Sequence, residues 1–131
     1  KNIVSHGQWS GINPFVVSEN PIENAKIAVL TRARIRTRKV WQFWRQVGKT
    51  SDALYQFDEL EYAVGIGELP LIYQATISVW SSIDSVNRYA YQHEAHKKVI
   101  QLARKNNWYS EELFARFYLE KEIYLCDSFN E

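Results

Sequence analysis

Two histidines, His93 and His96, stand three residues apart in a stretch of helical periodicity, a spacing that sets both on roughly one side of a helix. Imidazoles so placed suggest metal chemistry. A zinc or non-haem iron site needs further protein ligands, and none is spaced to serve: Glu94 points away from both histidines, and His6 is remote in sequence. Haem asks for only one protein imidazole. His96 has Ala95, Val99 and Ile100 around it, whereas His93 sits beside Gln92 and Glu94. His96 is therefore the candidate axial ligand of a haem iron. The plainer reading, an ordinary helix histidine, stands beside it.

Arg32, Arg34, Arg36 and Arg38 alternate along one segment, and a strand would align them on one side. The planar guanidinium fork suits carboxylates, haem propionates included. Arg36 and Arg38 read as a solvated edge. Arg32 and Arg34 lie nearer the strand body, and Arg116 is a further candidate on the open face of the sheet. Gly65 and Gly67 lack the third glycine and the following helix of a dinucleotide site. They share one side of a strand, where a helix or a ligand comes close. Trp41, Trp44 and Trp80 could line a pocket for a long apolar substrate, with Trp44 the best suited to core. Ser110 has no base to activate it, and Cys126 is a terminal thiol with little to suggest catalysis.

These residues need elements to hold them. Residues 1–25 form a turn-rich arm punctuated by Gly7, Gly11, Asn13-Pro14 and Asn20-Pro21. Strands are expected over 26–34, 62–68, 71–80 and 112–120, with helices over 39–53 and from Ser82 to about Lys105. The order β-α-β-β-α-β is the ferredoxin-like unit, an α+β antiparallel sheet with two helices on one face. It occupies residues 26–121, with a tail at 122–131. In the third strand, Leu71, Tyr73, Ala75, Ile77 and Val79 are expected to meet the helices. Trp80, with Phe114 and Arg116 of the fourth strand, is expected on the open face. That face is too apolar for water. A second sheet would cover it and close a barrel.

Composition sets the bounds. A chain of 131 residues, 46% hydrophobic and 15% aromatic, is one globular domain with a real core. Its 16 basic and 15 acidic residues leave a net charge of +1, which argues against nucleic acid as the default partner. One cysteine excludes an internal disulfide and is compatible with a reducing compartment such as the cytoplasm. No apolar run approaches a transmembrane span, and no signal segment opens the chain. Methionine is absent, position 1 included, which points to processing or to an excised fragment with an upstream part missing.

Several blocks together resemble the spheroidene monooxygenase family: Gln8-Trp9-Ser10-Gly11-Ile12-Asn13-Pro14-Phe15, Leu30-Thr31-Arg32-Ala33, Phe43-Trp44, Gly65-Ile66-Gly67-Glu68-Leu69-Pro70-Leu71, and Trp108 to Phe117. They occur in the family's order, and the likeness is to its C-terminal half. The resemblance implies a haem b-dependent oxidoreductase of carotenoid biosynthesis that uses dioxygen. Such an enzyme inserts oxygen next to the methoxylated end of an acyclic carotenoid. It further implies a dimeric α+β barrel, closed by a homodimer partner or by the missing N-terminal half, and access to the substrate at a membrane surface. In that class the axial histidine lies on the second helix, which assigns the role to His96. Arg32 or Arg116 would anchor propionates, and Gly65, Gly67, Trp80 and Phe114 would form the substrate pocket. Two alternatives stay open: a non-catalytic dimeric domain binding a small apolar ligand, and a haem-degrading or peroxidase-like member of the same barrel class.

Overall fold

A computed structural model of the protein describes residues 1–18, 20–46, 56–68, 71–92 and 94–123. The strands are β1 (Asn2–Gly7) and, richer in β-branched and aromatic residues, β2 (Ile27–Ile35), β3 (Leu60–Glu68), β4 (Tyr73–Trp80) and β5 (Tyr109–Tyr118). A short 3₁₀ turn at Thr37–Lys39 leads into α1, helical over residues 40–46. α2 (Ile83–Gln92) and α3 (Glu94–Lys105) follow β4. Ser82 caps α2 as expected, its hydroxyl accepting the Ser85 N–H at 3.2 Å. Asn107, at φ 51°, turns the chain out of α3 into β5.

The strands form one antiparallel sheet in the order β1-β5-β2-β4-β3. The four strands other than β1 have the ferredoxin-like order, β5-β2-β4-β3, with β2 and β4 central. β1 is an addition to the expected unit. It lies in the segment read as an arm, because its mixed letters (Asn2, Ser5, His6) hide the strand pattern. Gly7 closes it at φ 87°, where a Cβ would collide with the Glu112 carbonyl.

Two apolar clusters pin the helices to one side of the sheet. One joins Ile27, Val29 and Trp80 to Val86 of α2; the other joins Ile35 to Phe43 of α1, Ala103 of α3 and Trp108. The first cluster overturns the expected facing of β4. Trp80, 2% exposed, points toward the helices and not to the open face. Ser78 goes in with it, because its hydroxyl accepts the Trp80 indole N–H at 2.9 Å. Each polar group thereby satisfies the other, so a polar-looking face can be buried. Phe114 joins the same cluster from β5, and Arg116 reaches Asn87 of α2, so both lie on the helix side as well. Tyr73, Ala75, Ile77 and Val79 face the other way. Apolar letters on β4 mark a surface that needs a cover and not the core.

Candidate functional site

One cross-strand row on the helix side spans all five strands: His6, Phe114, Thr31, Thr76 and Gly65. Thr31 occupies its centre, on an inner strand and between the buried residues Val29 and Ala33, yet it is exposed. An inner strand that carries helices on this face should bury every residue there. The exposure of Thr31 shows that the described helices leave this point of the face uncovered, and we read the uncovered row as a groove. Gly65 prolongs it: among the described residues no atom lies within 4 Å of where its Cβ would be. Gly67 follows on the same side, where among the described residues only the Tyr73 carbonyl is near, at 3.9 Å. The two glycines therefore do not serve close packing against a described element. They leave room.

The other end of the row is aromatic and basic. His6 stacks on Phe114 with ring centroids 6.0 Å apart and planes at 13°. The Arg116 guanidinium lies 5.2 Å from the same ring. Arg116 Nη1 donates to Asn87 Oδ1 at 2.9 Å, while its Nε is buried without a hydrogen-bond partner among the described residues. No carboxylate pairs with it among the described residues. A half-buried cation with an unmet N–H is suited to an incoming anion or carbonyl oxygen. The groove thus offers an apolar ring, small hydroxyls, open space over a glycine and one guanidinium.

The structure separates the predicted residues. Gly65, Phe114 and Arg116 come together on the helix side; Trp80 is sealed in the core beneath α2. Arg32 is on the opposite face, 8% exposed, and donates to Glu111 Oε1 at 2.6 Å. Its guanidinium lies between the rings of Trp9 and Tyr73, at 4.7 and 5.5 Å. Glu111 also accepts the N–H groups of Ser10 and Gly11, each at 3.0 Å. Those residues form a two-residue turn with φ of 54° and 83°, closed by the Trp9–Ile12 bridge. Arg32 first, then the two backbone N–H groups, hold the Glu111 carboxyl down to about 2. Three blocks of the family resemblance meet in this clamp, which ties the N-terminal segment over β5 and gives Arg32 a carboxylate partner within the chain. Arg34, exposed, sits 5.5 Å from the Tyr73 ring.

His96 lies in α3, with its side chain outside the described part of the structure; His93 and Cys126 lie outside the described residues altogether. Among the described residues no cluster of three histidine, cysteine or carboxylate groups could hold a metal ion. Sequence reasoning missed Thr31, Thr76, His6 and Asn87. A lone threonine between Val29 and Ala33 in an apolar strand was the available signal.

The fold is that of a ferredoxin-like α+β domain, and solved structures share it. A conserved protein from Methanosarcina mazei Go1 superimposes with a TM-score of 0.64 at 12% identity, covering 74% of this chain and 95% of that one. SnoaB, a cofactor-independent oxygenase from Streptomyces nogalater, does so at 0.61 and 12%, covering 76% and 97%. In sequence, the chain is similar to the spheroidene monooxygenases. It is 38% identical over 117 residues to that of Rhodobacter capsulatus, covering 88% of this chain and 48% of the relative. It is 37% identical over 113 residues to that of Rubrivivax gelatinosus, covering 86% and 43%. The chain therefore spans less than half the length of these curated relatives. No family model matches it.

Proposed function

We propose that this domain is part of a monooxygenase, an oxidoreductase that inserts oxygen from dioxygen into an acyclic carotenoid bound along the helix-side groove. The observation that carries the reading is the exposed Thr31 on an inner strand. It opens an elongated row of ring, hydroxyl and glycine suited to a long apolar chain. The kinship with spheroidene monooxygenases supports the substrate class.

Haem is the proposed cofactor. The chain fits it in part. Arg116, with its buried and unmet Nε, suits a propionate on the helix side. Arg32 does not, because Glu111 already neutralises it on the other face. His96, in α3 on the same side of the sheet, would hold the iron. Haem supplies activation of dioxygen when bound. The chain's own part is to orient the polyene over Phe114 and Thr31 and to keep the groove largely apolar.

The opposite face needs cover. Tyr62 and Ile66 are 56% and 55% exposed, next to Val64, Ile77 and Leu30 on the same face. A second copy of the domain, or the remaining half of a longer protein, would bury this surface and complete a barrel. Among the described residues no helix is long and apolar enough to cross a membrane.

The test is product analysis. The protein is incubated with haemin, a reducing system, dioxygen and spheroidene, and the pigment is examined by mass spectrometry. The proposal expects an oxygenated carotenoid, absent with His96→Ala. Unchanged carotenoid with consumption of the haem itself would replace it by the haem-degrading reading.

A further inference from the structure

The charge of this chain is unevenly placed. Between Glu23 and Asp52 the sequence holds no acidic residue, and between Glu94 and Glu111 it holds none either. The fold brings parts of these two stretches to one rim around Trp108. The Arg36 N–H donates to the Trp108 carbonyl, the Trp108 N–H to Ala103, and the Asn107 N–H to the Arg104 carbonyl. The Trp108 indole donates to Gln42 Oε1 at 3.2 Å, and its ring meets Phe43 edge-on. The start of α1 and the end of α3 are thus knitted together.

Arg36, Arg38 and Arg45 from the first stretch are exposed, as are Arg104 and Lys105 from the second, with Lys39 half-buried beside them. None of the six has an ion-pair partner among the described residues. Six cations against a net charge of +1 leave −5 for the rest of the chain. On α1, three residues from Arg38 and four from Arg45, Trp41 is 77% exposed, on the side away from the buried Phe43. A tryptophan is costly to leave in water and suits the headgroup level of a bilayer.

We infer that this rim, with the exposed Trp41, docks the protein on an anionic lipid surface. Clustered Lys and Arg are drawn to the negative headgroup layer, and an aromatic anchor adds an apolar, salt-insensitive hold. The inference rests on the proposed function in one respect: an acyclic carotenoid is carried by a bilayer, so an enzyme that takes it gains by sitting there.

The test uses flotation of the protein with vesicles that contain neither haem nor carotenoid, so failure here is separable from failure of the oxygenase reading. Binding is expected to vesicles of about three parts phosphatidylglycerol to seven of phosphatidylcholine, and not to phosphatidylcholine alone. It should weaken steeply at about 0.5 M salt. Each cation removed should cost about fivefold, so Arg38→Gln with Arg45→Gln and Lys105→Gln should cost about a hundredfold. Trp41→Ala should weaken binding by a similar ratio at low and high salt. All four positions are exposed, and unchanged unfolding temperatures would confirm intact variants. No binding to the anionic vesicles, or binding indifferent to the triple variant, overturns the inference. So does tighter binding to a DNA duplex that Trp41→Ala leaves untouched, which would assign the rim to nucleic acid.

Discussion

Replacing Thr31 by phenylalanine separates an open groove from a packed core. Thr31 is exposed between Val29 and Ala33, both buried. A benzyl group placed there enters open space above Thr76 and Phe114. Substitutions at such positions usually stay within about 0.5 kcal/mol. The same enlargement in a filled core costs about 1–3 kcal/mol, which in a domain of this size lowers the melting temperature by roughly 3–12 °C. Thermal unfolding of Thr31→Phe should therefore match the wild type within about 2 °C. Haemin titrated into the same samples should bind at least about tenfold more weakly, a loss of about 1.4 kcal/mol, because the new ring fills the floor of the site. A large drop in melting temperature would mean that helices already close over Thr31. Unchanged haemin affinity would move the site elsewhere.

Three further perturbations probe the rest. Gly65→Ala meets nothing within 4 Å among the described residues; chemical denaturation should show it more stable by about 0.5–1 kcal/mol, the strand-interior cost of glycine, and a destabilised variant would reveal a close neighbour. The Glu111 carboxyl titrates at about 2 against an ordinary 4.5. Its folded value is lowered, so its stabilisation is complete above about pH 4.5 and fades as pH falls toward 2. Hydrogen exchange at the Ser10 and Gly11 amides should rise through that window beyond its intrinsic pH dependence, and Glu111→Gln should show raised exchange already at neutral pH. Ile66→Glu, on the uncovered face, should turn a dimer into a monomer in analytical ultracentrifugation, while a monomeric wild type would remove the second copy as the cover.

Much of the architecture was legible because it is local. Alternation placed β2 to β5 within a few residues, and Ser82 marked the start of α2. What failed depends on pairs distant in sequence. Strand alternation says that Ser78 and Trp80 share a face but not which one, and their mutual hydrogen bond made the polar-looking face the buried one. Arg32 looked available until its partner, Glu111, arrived from 79 residues away. Alternation alone leaves Arg116 on the open face, whereas the register of β5 against β2 puts it on the side of α2. Gly65 and Gly67 were noticed as glycines, but whether a glycine admits a neighbour or leaves a space is decided by what the fold sets opposite it. β1 escaped because a strand added at an edge needs only one good partner, and its own letters carry little pattern.

The central claim, a haem-bearing groove on the helix side, is tested most directly by the absorbance of the purified protein titrated with haemin, beside His96→Ala. The expected result is a Soret band that saturates at one haem per chain and is lost or displaced in the variant. A wild type without saturable binding, or a variant whose spectrum matches it, would contradict the account.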